Sequence, residues 1–357
     1  MRRFLGLGVL ALTPFVAVAM LGAQYAPPAQ SGQPSWAYGI AADYAPPPPA
    51  PAAGMPAPAP AAPPDTTLHK LPGTDSAFTR AQIQDAFGPA DWYPSDHPPM
   101  PDIVSKGRRV PGKSINESAR ACGLCHYPNG KGRAENSSVS GLPVAYFMQQ
   151  MQDFRNDLRK SSEPRKANAV VMVNIAKAMT EQEIKDAAEY FGAIKWTTPY
   201  FRVVETNTVP KTRVNNGVHF VLEGAQAGTE PLGQRIVETP EHTEHFELRD
   251  PRDGWVVYAP VGSIKKGETL VRTGGNGKTV ACGVCHGPDL LGLGPVPAIA
   301  GRSPSVLVRQ MWDMKQGTRK GLWADLMKPV VRNLTAEDLV SILAYTASRP
   351  VTSSPTN

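Results

Sequence analysis

Two five-residue motifs contain the residue types best suited to chemistry, because each combines a pair of thiols with an imidazole. They are Cys122-Gly123-Leu124-Cys125-His126 and Cys282-Gly283-Val284-Cys285-His286. Two thiols one helical turn apart can reach two vinyl groups on one porphyrin edge, and the histidine that follows then faces the iron. CxxCH is the attachment sequence of c-type haem, so the sequence predicts two covalently bound haem c groups.

A redox-active disulfide and a zinc site are the alternative interpretations of a cysteine pair. A zinc ribbon places its two cysteine pairs about 15–20 residues apart, whereas 156 residues lie between Cys125 and Cys282. All four cysteines of the chain belong to the two motifs. Two copies, both followed by histidine, favour haem attachment over both alternatives.

Each iron needs a second axial ligand, and methionine is favoured in carriers because its thioether raises the potential. Two methionine pairs recur at related positions, Met151 with Met311 and Met172 with Met327. The first pair lies on the apolar stripe of a predicted helix, where methionine is ordinarily a core residue. The second pair is predicted to lie in a loop, since a proline two residues after Met327 resists helix formation. The predicted metal ligands are His126 with Met172 and His286 with Met327.

The other five histidines do not recur between the two halves of the chain, which argues against them as ligands. They are His69, His97, His219, His242 and His245. His242 and His245 have a spacing that suits metal binding, but Pro240 and the neighbouring glutamates favour a solvated acidic loop.

The motifs lie in a duplicated unit, because matching residues recur at an offset of 160 positions that later falls to 155. Each copy is predicted to be helical. A short helix begins near Gly107 or Gly267, and a middle helix carries apolar residues at helical spacing. The last helix begins at a capping signal, Thr180 in one copy and Thr335 in the other.

Composition divides the chain into five segments. Residues 1–23 run from a basic start through an apolar middle to small residues, which predicts a secretory signal peptide or, if uncleaved, an N-terminal anchor. Residues 24–74 are rich in proline and alanine and are predicted to be a disordered linker. Residues 200–258 contain short β-branched and aromatic runs and are predicted to be a β-rich connector. The two haem domains are then residues 75–199 and 259–357.

The charge balance does not indicate a nucleic-acid partner. The formal net charge is +6, and the four propionates of two haems would offset most of it. No basic helix with interleaved aromatic residues is found in the sequence.

The chain resembles a tandem class I cytochrome c, similar to the periplasmic dihaem carriers of the c-four type. The resemblance rests on CxxCH, on residues 297–301 and on the methionine and Thr-x-Glu pattern before the last helix. In that family the proline after the haem site gives its carbonyl to the ring N–H of the proximal histidine. The resemblance therefore implies that Pro297 orients His286, whereas the aligned residue of the first copy is Ser137.

The predicted fold is mainly α, with two cytochrome c-like helical haem domains in tandem, a small β-rich connector and a disordered Pro/Ala-rich N-terminal linker. Iron closed by histidine and methionine binds no substrate, so the predicted function is a periplasmic electron carrier and not an enzyme. The alternatives are the cytochrome subunit of a periplasmic dehydrogenase complex, and a dihaem redox enzyme of the peroxidase or thiosulfate dehydrogenase type. Expected partners are a dehydrogenase, an oxidase or a membrane complex, and an uncleaved N-terminus would tether the protein to the inner membrane.

Overall fold

The computed structural model describes residues 32–40 and 65–351. The predicted signal peptide or anchor and most of the predicted linker lie outside these residues. Within the described ranges, every helix is too short or too polar to cross a lipid bilayer.

The first helical unit contains six α-helices, whose positions follow local sequence signals. Thr180 caps the last of them, with its side chain accepting from the Glu183 amide in a capping box. The stripe that runs from Ile184 to Phe191 is buried on its inner face. The helices are α1 (Arg80–Ile83), α2 (Asp102–Ser105), α3 (Cys122–His126), α4 (Val144–Arg155), α5 (Ala167–Ala178) and α6 (Glu181–Ala193).

One helix prediction is wrong in this unit. The chain near Gly107 is not helical, because α2 ends at Ser105 and Gly107 adopts a left-handed φ of 61°. The proline and glycine at positions 111 and 112 interrupt the chain where the second unit continues its helix. A Cβ at Gly107 would also lie 2.4 Å from the Ala119 carbonyl oxygen, so the turn requires glycine there.

The second helical unit has a longer first helix, which contains Gly267. A Cβ at this position would lie 1.9 Å from the Ser341 carbonyl oxygen, so glycine permits the first and last helices to cross at backbone contact. Thr335 caps the last helix in a second capping box. The helices are α8 (Ser263–Thr273), α9 (Gly283–His286), α10 (Pro304–Gln316), α11 (Ala324–Val331) and α12 (Ala336–Ala347).

Strands occupy the segment between the two helical units, together with the short helix α7 (Thr243–Glu247). The strands are β3 (Phe201–Glu205), β4 (Thr208–Pro210), β5 (Thr212–Asn215), β6 (Val218–Val221), β7 (Thr229–Pro231), β8 (Val237–Pro240) and β9 (Trp255–Ala259). The order β3-β9-β8 forms a three-stranded sheet, with Phe201 opposite Trp255 in parallel register and Val237 opposite Tyr258 in antiparallel register. Two antiparallel pairs, β4 with β7 and β5 with β6, complete the segment.

Part of the predicted linker is packed structure, which corrects the prediction of disorder there. Residues Ser35–Tyr38 form a 3₁₀ turn, and the Tyr38 ring is fully buried. Its hydroxyl donates to Asp313 Oδ1 at 3.2 Å and lies 2.9 Å from Ser162 Oγ. Farther along, β1 (His69–Lys70) pairs with β2 (Ala77–Phe78). The buried Tyr38 ring and the half-buried Trp36 ring supply the apolar area that the surrounding prolines and alanines lack.

The two helical units contact each other through equivalent residues, since positions 159 and 319 differ by the repeat offset. Arg159 and Arg319 form an antiparallel bridge. The Lys160 amide donates to the Thr318 carbonyl at 3.0 Å, and the Lys320 amide donates to the Leu158 carbonyl at 2.7 Å. This reciprocal pairing gives the interface a local two-fold relation, as a duplicated unit packing against itself would produce.

Candidate haem sites

Both CxxCH motifs form a single helical turn, which brings the two thiols of each motif to one side. The first motif is α3 itself, and in the second Cys282 precedes α9 in helical conformation. All four thiols are free. The residue after each histidine turns to positive φ, 63° at Tyr127 and 80° at Gly287, so both helices end directly behind the imidazole.

The two imidazoles are held in the same way by backbone carbonyls. His286 Nδ1 lies 2.7 Å from the Pro297 carbonyl oxygen, and His126 Nδ1 lies 2.7 Å from that of Ser137. Because the acceptor is a main-chain group, serine replaces proline without loss of the bond. Burial lowers the pKa of both imidazoles, which favours the neutral form. Each Nε2 is then left as the free ligand atom.

One cavity connects the two histidines. Its wall consists mainly of apolar side chains from both helical units, and His126 and His286 both reach it. A porphyrin presents two apolar faces and needs an imidazole nitrogen at its centre. The residues present therefore fit two haem groups.

Met172 and Met327 both line this cavity, but their predicted loop setting is wrong. Met172 lies within α5 and Met327 within α11, where Pro329 is accommodated inside the helix. A proline there forfeits one backbone hydrogen bond, and the burial of Ala324 and Val331 on the same helix offsets that loss.

The rival pair, Met151 and Met311, lines the same cavity from the middle helices α4 and α10. The choice of Met172 and Met327 as ligands therefore stays a prediction. Of the remaining histidines, none reaches this cavity within the described residues.

Three arginines on the cavity wall were not predicted there from the sequence; Arg302 and Arg319 are buried, and Arg159 is half-buried. Arg159 donates to Gln150 Oε1 at 3.1 Å and to Gln310 Oε1 at 2.9 Å. Arg319 donates to the same two oxygens, at 2.8 and 3.0 Å. Two neutral amides thus share two cations, and no carboxylate forms an ion pair with either arginine within the described ranges. The recurrence of Arg-Lys at 159–160 and 319–320 was the available signal.

The third arginine, Arg302, has fewer hydrogen-bond partners than the other two. Its Nη2 donates to the Ser140 carbonyl at 2.8 Å, while Nε and Nη1 have no hydrogen-bond partner among the described residues. Burial lowers the pKa of Arg302 and of Arg159 to about 9. Buried cations of this kind need an anion, and the carboxylates of a haem would provide it.

The two motifs differ sharply in exposure, although they are equivalent in the repeat. Leu124 in the first motif is 6% exposed, whereas Val284 at the same position of the second is 68% exposed. Residues outside the repeat cover the first motif. Arg249 donates to the Leu124 carbonyl at 2.5 Å, and the Ala121 amide donates to the Ala86 carbonyl at 2.9 Å. The second motif is open to solvent, with Cys285 exposed.

Comparison with known proteins places these sites among c-type cytochromes, although no family model matches the chain. A "Thiosulfate dehydrogenase electron acceptor" from Stutzerimonas stutzeri is 24% identical over 65% of this chain and 81% of its own length. Cytochrome c-554(548) from Halomonas halodenitrificans is 38% identical over 21% of this chain and 92% of its own length.

Cytochrome c4 from Azotobacter vinelandii is 35% identical over 22% of this chain and 40% of its own length. A solved cytochrome c4 from Acidithiobacillus ferrooxidans matches 64% of this chain and 98% of its own, at 19% identity and a TM-score of 0.41. The relatives confirm the resemblance to c-type cytochromes that the motifs indicated.

Proposed function

This chain belongs to the class I c-type cytochromes, and from that premise we propose how its two covalently bound haem c groups are held. Thioether bonds from each cysteine pair fix one haem. The neutral imidazole Nε2 of each motif would hold the iron, together with a methionine sulfur from α5 or α11. The proposed residues are Cys122, Cys125, His126 and Met172 for the first haem, and Cys282, Cys285, His286 and Met327 for the second.

The protein is an electron carrier, and when bound each haem supplies one-electron exchange at its iron. The carbonyls of Ser137 and Pro297 keep the two imidazoles in one orientation, which limits rearrangement when the charge changes. The cavity wall is mainly apolar. Arg159, Arg302 and Arg319 form no ion pair with a carboxylate of the described residues, and they would balance the carboxylates of bound haem.

The observation that supports this function is the shared cavity, because both histidines and both proposed methionines line it. The haem content of denatured protein tests the proposal. Two haems per chain should remain bound, and replacing Cys282 and Cys285 by alanine should remove one. Haem that acid-acetone extracts from the unmodified chain would contradict thioether attachment.

A second candidate role keeps the same chemistry within a complex. The match to a "Thiosulfate dehydrogenase electron acceptor" supports a cytochrome subunit that receives electrons from a periplasmic dehydrogenase. An enzyme of the thiosulfate dehydrogenase type is not favoured, because all four cysteines are used in CxxCH motifs and none remains as a distal ligand. A subunit of such a complex should co-purify with the dehydrogenase and be reduced by it. This result would distinguish the subunit from a free carrier.

We place the protein in the periplasm, because the order of basic, apolar and small residues over 1–23 is that of a secretory signal. A mature chain that begins after Ala19 or Ala23 would be released, whereas a retained start would tether it to the inner membrane. The N-terminal mass of the protein from periplasmic and membrane fractions distinguishes the two.

A further inference from the structure

A group of metal-ligand side chains lies apart from the haem cavity, in the segment between the helical units. His242, His245 and Asp253 each offer one ligand atom, and these atoms lie within 4.8 Å of one another. The imidazole centroids are 5.2 Å apart. Typical zinc–nitrogen and zinc–oxygen bonds are about 2.0–2.2 Å, so a small closing movement would bring all three onto one ion.

The charges of this group are unbalanced. Asp250 and Asp253 have carboxylates that are only 5% exposed. Within residues 65–351 no lysine or arginine forms an ion pair with either of them, and their ionic partners are His245 and His242. Two buried carboxylates that no lysine or arginine pairs with are costly. A divalent cation would supply the missing charge.

The ring of His245 is already oriented as a metal ligand. Its Nδ1 lies 3.0 Å from Asp250 Oδ2, which leaves Nε2 with a free lone pair. Asp250 is itself fixed, since its other oxygen accepts from the Arg252 amide at 2.8 Å. A carboxylate that holds the second nitrogen of a histidine is the usual outer partner of a ligating imidazole.

We propose that His242, His245 and Asp253 bind a divalent transition-metal ion of the Zn²⁺ class, with Asp250 orienting His245. Two imidazole nitrogens and one carboxylate oxygen form a ligand set that such ions accept. Solvent completes the coordination, because the His242 side chain is 65% exposed. The spacing of the two histidines, separated by two residues at the start of α7, is what brings the rings together.

The site has a structural consequence for the first haem motif. The loop between His245 and Asp253 carries Arg249, which donates to the Leu124 carbonyl, and Pro251, whose carbonyl accepts from Asn129 at 3.3 Å. A metal ion that joins the two ends of this loop would hold it against the CxxCH turn. Metal binding would thus stabilise the cover of the first haem while leaving the second motif unchanged.

Titration of Zn²⁺ into the chelator-treated holoprotein tests the proposal by calorimetry. One equivalent should bind, and His242→Ala should weaken binding at least tenfold. Asp250→Asn should weaken it by about 10–100-fold, as outer partners of metal ligands do. His219→Ala is the control, because His219 belongs to the β5–β6 pair and contacts Thr212; it should bind Zn²⁺ like the unmodified chain.

The haem spectrum of each variant checks that it has folded. Binding that is equal in the unmodified chain and the His242→Ala/His245→Ala variant would overturn the site, as would a loss of the same size in the control. Thermal unfolding gives a second readout, since Zn²⁺ should raise the melting temperature of the unmodified chain but not that of His242→Ala.

Discussion

Four methionine side chains line the shared cavity at repeated positions, and one pair of them, Met172 and Met327, is expected to close the two irons. Met172→Ala or Met327→Ala should open one haem to carbon monoxide and lower its potential, because thioether ligation favours the reduced iron. Met151→Ala and Met311→Ala are the matched controls. Met151→Ala should leave the ligand band intact and cost about 2–5 kcal/mol of unfolding free energy, as expected for a buried methionine.

Optical spectra in both redox states and urea unfolding separate these outcomes. If the controls on α4 and α10 lose the ligand band while the variants on α5 and α11 keep it, the ligand assignment is wrong.

Arg302 is the clearest case of a buried cation that needs a cofactor anion. Arg302→Gln should lower the reduction potential of the nearer haem, since a positive charge favours the reduced iron. The shift should be on the order of 50 mV, as for one charge at an effective dielectric constant of about 20. Arg309→Gln is a buried control that donates to the Ala37 and Ala134 carbonyls instead.

Spectroelectrochemical titration measures both arginine variants. The control should change stability more than potential. Equal potentials in the unmodified chain and in Arg302→Gln would contradict a role of this arginine beside the haem carboxylates.

Single residues also show how far the sequence predicted the site. The cysteines and histidines were identified from local spacing, because thioether attachment requires that spacing. The carbonyl of Ser137 could not be predicted from the residue type, since any residue supplies that group. The position of Arg159 and Arg319 was not predicted, because each of them also contacts a glutamine 151 or 169 residues distant in the chain.

At the scale of secondary-structure elements, the residues around Tyr38 are the main departure from prediction. Proline-rich flanks indicated disorder, and only tertiary contacts order this turn. Tyr38 contacts Ser162 from one helical unit and Asp313 from the other. Tyr38→Phe should cost about 1 kcal/mol, since Asp313 keeps its bonds to Ser162. Tyr38→Ala should cost several times more, because it leaves a cavity where an aromatic ring packed.

Chemical denaturation checks the two Tyr38 variants, with Trp36→Phe as a conservative neighbouring control. Equal stability of Tyr38→Ala and the unmodified chain would mean that this turn does not contribute to the packing of the two units.

The hydrogen bonds that cap α12 predict how the stability of the protein depends on pH. Burial by itself raises the pKa of Asp338, but bonds from Lys278 and from the Thr335 amide and hydroxyl outweigh burial and lower it below 3.8. A depressed folded pKa contributes stability that is complete above the unfolded value and is lost as pH falls through the folded value. Stability should therefore decline below about pH 4.

Asp338→Asn should remove this part of the acid sensitivity, and Thr335→Ala should cost about 1 kcal/mol at neutral pH. Urea unfolding between pH 3 and 7 measures both. If Asp338→Asn loses as much stability at low pH as the unmodified chain, other carboxylates cause the loss. Glu183 in the equivalent cap of α6 is then the first to test.

For the whole molecule, the unequal burial of the two motifs predicts where electrons are exchanged with solvent. The first CxxCH turn lies under residues that the repeat does not contain, so its surroundings could not be inferred from the duplication. The second turn opens to solvent, and Leu326 beside Met327 is 72% exposed while also lining the cavity. Small redox reagents should therefore react chiefly through the second unit.

This asymmetry can be tested with a charged oxidant. Lys328 lies next to Met327, and its ammonium pairs with Asp325 at 2.6 Å. Lys328→Glu should slow oxidation by ferricyanide at low ionic strength, because it replaces an attractive charge by a repulsive one near the open edge. The effect should shrink at 0.15 M salt, where the Debye length is about 8 Å. Lys185→Glu on α6 is the matched control, since Lys185 is also exposed and pairs with an acid on its own helix.

Because the first motif is covered, the Lys185→Glu control should leave the stopped-flow rate nearly unchanged at every salt concentration. Lys328→Glu should speed oxidation by the positively charged oxidant tris(phenanthroline)cobalt(III). This opposite effect on the rate would distinguish an effect of charge from misfolding. Equal slowing by the two substitutions would mean that both haem edges exchange electrons with solvent. The burial of the first motif would then not restrict electron exchange to the second haem.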